Sequence, residues 1–115
     1  MILCALADLP DPGARGPFAV ESGDGRTRKV FLVHTNGQVR AFLDTCPHVG
    51  VPLEMEQDRF LDLTGSEIVC SVHGARFDPQ TGACLWGPCR GRSLTRVEIR
   101  RIGDQVAVTI PLIFS

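Results

Sequence analysis

Apolar residues along this chain recur at alternate positions in short runs, and glycine, proline and Asn/Asp pairs break the runs. That pattern predicts strands. Residues 2–6 form a short apolar strand, and the breaker-rich stretch Asp8-Leu-Pro-Asp-Pro-Gly-Ala-Arg-Gly-Pro17 reads as a loop. Strands over 18–21 and 29–34 flank the Gly23-Asp24-Gly25 turn. Thr35-Asn36-Gly37-Gln38 is a hairpin signal, because Asn-Gly accepts the positive φ angles of a type I′ turn. The returning strand over 39–43 leads directly to Cys46. Later, residues 94–101 place Leu94, Val97 and Ile99 among polar neighbours, and a turn at Gly103-Asp104 feeds a strand over 106–110. No helix of ordinary length is expected; residues 54–60 could form one turn.

The elements fall into two tiers. Residues 1–43 and 90–115 predict the base, an antiparallel β-sandwich or small barrel. Residues 44–89 are rich in Gly and Pro and poor in periodicity, and predict a small inserted subdomain. Within it, residues 75–85 read as a hairpin that turns at 79–82. The fold class is all-β, and 115 residues with 43% hydrophobic content predict a single domain with a real core.

Composition narrows the function by exclusion. A net charge of −1 and a pI near 6.3 give no basic surface for nucleic acid. No apolar run approaches the roughly 18 residues of a membrane helix, and the N-terminus lacks a basic start and a signal-like apolar stretch. A soluble cytoplasmic protein without a membrane anchor is the expectation. Charge is uneven: between Asp44 and Asp78 stand seven acids and two arginines, and between Arg90 and Arg101 five arginines and one glutamate. Two solvated faces account for this; an acidic tier that steers a partner protein is the functional alternative.

Two residue pairs carry the chemistry. Cys46-Pro47-His48 is C-x-H and Cys70-Ser71-Val72-His73 is C-x-x-H, with 21 residues, 49–69, between them. Each pair closes on a glycine, Gly50 or Gly74. Any one of these cysteines alone reads as a small buried apolar residue, and any one histidine as a surface residue. Together, two thiolates and two imidazoles on loops of similar design make a four-ligand metal site. One cysteine and one histidine from each loop can hold an iron pair, thiolates on one iron and imidazoles on the other. Structural zinc accepts the same Cys2His2 set, although zinc fingers usually pair cysteine with cysteine and histidine with histidine.

These motifs, with Gly74, Phe77, Asp78, Gly82, Gly87 and Pro88, resemble a Rieske domain carrying a [2Fe–2S] cluster, across residues 20–110. The resemblance implies the family's nested all-β fold. It makes Cys46 and Cys70 ligands of the inner iron, and His48 and His73 ligands of the outer, more exposed iron. It places Gly87-Pro88 in a loop that covers the cluster; an ordinary turn proline is the alternative. The 21-residue spacer is longer than in compact members. The cysteines that bridge the ligand loops of high-potential members are replaced by Val51 and Val72, and their serine and tyrosine hydroxyls by Ala75 and Phe77. A potential toward the low end of the Rieske range, about −150 mV, is therefore expected. The implied protein is a Rieske-type ferredoxin, an electron carrier between a reductase and a terminal oxygenase and not catalytic by itself. Its only other histidine, His34, reads as a surface residue, so no mononuclear-iron oxygenase site can be built. A small Rieske subunit of a nitrite reductase-like enzyme and a structural zinc-binding module are the rival readings. Of the remaining cysteines, Cys4 reads as a core residue. Cys84 and Cys89 either form a disulfide or pack as small apolar side chains beside the ligand loops.

Overall fold

The computed structural model describes residues 1–23, 25–47, 50–54, 56–72 and 74–114. Among them are ten strands: β1 (Ile2–Ala5), β2 (Gly13–Glu21), β3 (Thr27–Thr35), β4 (Gln38–Leu43), β5 (Ile68–Val69), β6 (Arg76–Phe77), β7 (Cys84–Trp86), β8 (Arg96–Val97), β9 (Ile99–Ile102) and β10 (Gln105–Val108). They form three antiparallel sheets, ordered β1-β10-β9, β2-β3-β4-β8 and β5-β6-β7. The all-β expectation holds. The one helical element among the described residues is a 3-10 turn, Leu6–Asp8.

The four-stranded sheet lies between two cores, and β3 explains how. Its run Val30-Phe31-Leu32-Val33 is apolar at every position, the mark of a strand buried on both faces. Val30 and Leu32 join Val20, Ala41, Leu43, Val106 and Val108 on one side. Phe31 and Val33 join Phe42, Phe60, Phe77, Cys46 and Cys70 on the other. Phe31 and Phe60 stack with ring centroids 4.2 Å apart, tying the stretch between the two cysteine–histidine motifs to the sheet. The β3–β4 hairpin turns through Asn36 (φ 53°) and Gly37 (φ 76°), as the Asn-Gly pair predicts.

Three local expectations need correction. The stretch expected to be loop up to Pro17 already contains the start of β2: Gly13, Ala14 and Arg15 pair with His34, Val33 and Leu32. The register shifts between Arg15 and Phe18, so Gly16 and Pro17 occupy an irregularity in an edge strand, where a missing N–H costs no ladder bond. Among the described residues of 54–60 there is no helical turn; Asp58 takes a left-handed φ of 66°, and its carboxylate accepts the Gly16 N–H at 2.8 Å. His34 is not a free surface residue. Its ring is 16% exposed, and Nδ1–H donates to the Leu9 carbonyl at 2.9 Å.

Candidate metal centre

Cys46 follows β4, and Cys70 follows β5. Both sulfurs are withdrawn from solvent, at 1% and 0% exposure, and both lie in the same apolar cluster as Leu53, Ile68, Ala75, Phe77 and Cys89. The backbone around them repeats. Gly50 N–H donates to the Cys46 carbonyl and Gly74 N–H to the Cys70 carbonyl, each at 2.8 Å. Cys46 N–H donates to the Val51 carbonyl at 2.7 Å, and Cys70 N–H to the Ala75 carbonyl at 2.8 Å. Gly50 and Gly74 close these turns at φ 73° and 70°, a region that an L side chain enters only at a cost. The two sequence motifs space their histidines differently, yet the same pair of backbone hydrogen bonds closes each of them. His48, Val49 and His73 lie outside the described residues.

The segment after β7 joins the two turns. A Cβ on Gly87 would sit 2.9 Å from Ala75 Cα, so the backbone here lies directly on the second turn. Arg92 Nη1 donates to the Pro47 carbonyl of the first turn at 2.9 Å. Ser71 N–H reaches the Leu53 carbonyl at 2.8 Å, joining the second turn to the chain that leaves the first. Three large apolar side chains of these segments are exposed: Val72, Leu85 and Trp86, at 50%, 45% and 62%. Trp86 Cζ3 lies 3.9 Å from where a Gly74 side chain would start, so the indole overlies the second turn.

A profile of the Rieske [2Fe-2S] domain matches residues 1–109. The chain belongs to the Rieske [2Fe–2S] domain family. Among curated proteins no sequence relative matches. Similar solved structures include the complex of reduced oxygenase and oxidized ferredoxin in carbazole 1,9a-dioxygenase, with TM-score 0.69, 25% identity, and coverage of 92% of this chain and 88% of that one. The ferredoxin of carbazole 1,9a-dioxygenase from Nocardioides aromaticivorans IC177 matches with TM-score 0.68 and 24% identity, covering 93% of each chain. The Sphingomonas yanoikuyae B1 ferredoxin matches with TM-score 0.68 and 24% identity, covering 96% of this chain and 98% of that one. This Rieske chain therefore carries a [2Fe–2S] cluster, which decides against structural zinc. The described residues fit that cofactor: two soft sulfur donors lie buried in an apolar cluster on turns closed by the same backbone hydrogen bonds.

Electrostatics around the site are quieter than the acid count suggests. Arg76 Nη1 bonds both Asp62 (2.9 Å) and Glu67 (3.1 Å), Arg15 lies 3.4 Å from Asp58, and Arg59 lies 3.3 Å from Glu56. Burial raises the Asp62 carboxyl, but hydrogen bonds from Ser66, Thr64, Glu67 and Arg76 outweigh it and lower its pKa below the ordinary value. Asp44, 4% exposed, is pushed up to about 7 by burial and by the neighbouring Glu54 carboxyl. Asp44 Oδ1 accepts the Leu53 N–H at 2.9 Å, while Asp44 Oδ2 and Glu54 Oε2 are buried without any other partner. A single proton shared by the two carboxyls satisfies both. Four of the seven acids thus face arginines and two share a proton, which favours the solvated-face reading of the charge pattern over steering. Sequence reading missed the Asp44–Glu54 pair because the two lie ten positions apart and nothing in their spacing marks them.

Proposed function

We propose that this chain is the ferredoxin component of an oxygenase system, passing single electrons from a flavin- or iron–sulfur-containing reductase to a terminal oxygenase, with Cys46, His48, Cys70 and His73 as cluster ligands. The observation that carries the reading is the pair of equivalent turns that bury Cys46 and Cys70 beneath an exposed apolar rim of Val72, Leu85 and Trp86. The cluster supplies a reversible one-electron couple. The protein supplies the dry pocket, the fixed turns and an apolar face on which a redox partner can exclude water. The similarity to the ferredoxin of carbazole 1,9a-dioxygenase supports this choice of partner class. Ala75 and Phe77, both fully buried, bring no hydroxyl to the site, in keeping with a carrier at the low end of the family's potentials. A cytoplasmic location accords with five cysteines that form no disulfide in the structure. Among the described residues no helix is long and apolar enough to cross a membrane.

One observation favours the rival reading of a small subunit in a nitrite reductase-like enzyme: Ile110, Ile113 and Phe114 expose 48%, 44% and 46% of their surface. Stopped-flow mixing of the pre-reduced protein with an oxidised Rieske oxygenase separates the two. Rapid bleaching and recovery of the cluster spectrum, slowed by Trp86→Ala and Val72→Ser, is the expected result. No electron transfer to any oxygenase, with native protein migrating only in a stable large-subunit complex, would establish the rival.

A further inference from the structure

The ligand turns use two of the five cysteines, and two others stand together beside them. Cys84 Sγ and Cys89 Sγ are 3.1 Å apart, with Cys89 S–H directed at Cys84 and Cys84 S–H at the Trp86 carbonyl (3.4 Å). Both are thiols in the structure. Their backbones are already clamped through one residue: Cys84 N–H donates to the Arg92 carbonyl at 3.0 Å, and Arg92 N–H donates to the Cys89 carbonyl at 2.9 Å. Bringing the sulfurs to bonding distance needs a shift of about 1 Å, within the reach of side-chain torsions. The two differ in access. Cys89 is fully buried, and Cys84 is half-buried at the start of β7, the strand that carries Leu85 and Trp86.

We propose that Cys84 and Cys89 form a reversible disulfide that pins the Gly87–Arg92 segment over both ligand turns. The segment touches the second turn at Gly87, against Ala75, and the first at Arg92, on the Pro47 carbonyl; Cys89 lies between these two contacts, so a bridge that ties it to Cys84 at the start of β7 restrains the cover. The co-reactant is a small-molecule disulfide of the glutathione type. Cys84, as thiolate, attacks one sulfur of that disulfide; the S–S bond breaks, a mixed disulfide forms on Cys84, and one thiol leaves. Cys89 then attacks the Cys84 sulfur; the Cys84–glutathione bond breaks, and the departing thiolate takes up the Cys89 proton and leaves as the second thiol. Two protein thiols lose two electrons in total, and one disulfide becomes two thiols. Such bridges are the transient kind that a reducing compartment permits.

Trypsin places both cysteines on one peptide, residues 77–90, so mass spectrometry reads the pair directly. The cluster-bearing protein is titrated with oxidised glutathione while visible absorbance reports an intact cluster, then acid-quenched and alkylated. The expected result is that this peptide passes from two alkyl groups to none with the mass of two hydrogens lost, and that dithiothreitol reverses the change. Cys89→Ser should stop at one stable glutathione adduct on Cys84, and Cys84→Ser should leave Cys89 unmodified. Bridged protein should lose its cluster to a chelator several-fold more slowly than the reduced form, a difference absent in Cys84→Ala. Wild type that ends with glutathione on Cys84 and a free Cys89 would overturn the disulfide. Equal chelator rates in bridged and reduced protein would overturn the pinning. Both readouts are independent of which redox partner the protein serves.

Discussion

Replacing Asp44 with asparagine should remove most of the pH dependence of stability between pH 5 and 8. In the unfolded chain Asp44 ionises near 3.8; in the folded protein burial first, and the Glu54 carboxyl second, push it up to about 7. Lys29 opposes the shift and the Leu53 N–H partly offsets it. From pH 5 up to about 7 the native state holds a proton the unfolded state has released, so stability falls with rising pH. The contribution is fully present below the unfolded value and is lost as pH rises through about 7. The two pH units between 5 and the folded value of about 7 correspond to about 3 kcal/mol at most; because Glu54 is only half-buried and shares the proton, a loss of roughly 2–3 kcal/mol is expected. With an m-value near 1–1.5 kcal/mol per M for a chain of this size, the urea midpoint should drop by about 2 M from pH 5 to pH 8. Asparagine keeps the carbonyl that accepts the Leu53 N–H and offers Glu54 a permanent donor, so its midpoint should move by less than about 0.5 M. The lowered Asp62 acts as pH falls through values below 3.8, and the raised Cys4 and Cys89 thiols act above 9, so neither enters the window. Urea titrations of both proteins at several pH values provide the measurement. A wild-type midpoint that rises with pH, or an asparagine variant with an undiminished slope, would refute the shared proton.

Gly87→Ala should destabilise by about 2–4 kcal/mol, since it combines a positive φ of 112° with a Cβ set 2.9 Å from Ala75 Cα; thermal melts that shift by under 2 °C would contradict the close approach. Phe60→Ala, which empties the fully buried partner of the Phe31 stack, should cost about 3–5 kcal/mol by urea denaturation, and a loss below 1 kcal/mol would mean that the spacer is not anchored there. Ala75→Ser with Phe77→Tyr should raise the midpoint potential in direct electrochemistry, and an unchanged value would show that hydroxyls at these positions do not reach the cluster.

How far the sequence specifies this molecule depends on the range of the interaction. Local chemistry was legible: Asn36-Gly37 gives its hairpin, and the two cysteine–histidine motifs with Gly50 and Gly74 mark two turns. The continuous apolar run of β3 was legible as a strand, but its burial on both faces became visible only when the cluster tier packed on Phe31 and Val33. The start of β2 was hidden because Gly13, Gly16 and Pro17 are breakers by composition; they are tolerated in a sheet only because this strand lies at the edge, with an irregular register. Acidic residues counted along the chain suggested a charged face. Pairing across 14 positions between Asp62 and Arg76, and across ten between Asp44 and Glu54, removes much of it. The contact of Arg92 with the Pro47 carbonyl, 45 residues away, has no sequence signature at all.

The central claim is that Cys46 and Cys70, with His48 and His73, hold a [2Fe–2S] cluster in this chain. Iron and acid-labile sulfide analysis, together with EPR of the dithionite-reduced protein, tests it most directly on the wild type, on Cys46→Ser, on Cys70→Ser, and on the combined Cys4→Ser, Cys84→Ser, Cys89→Ser variant. The account predicts two irons and two sulfides per chain, with a rhombic signal of the low average g value of mixed histidine and cysteine ligation, in the wild type and the triple variant. It predicts neither cluster nor signal in the two single variants. A cluster that survives Cys46→Ser or Cys70→Ser, or one lost from the triple variant, would contradict the assignment.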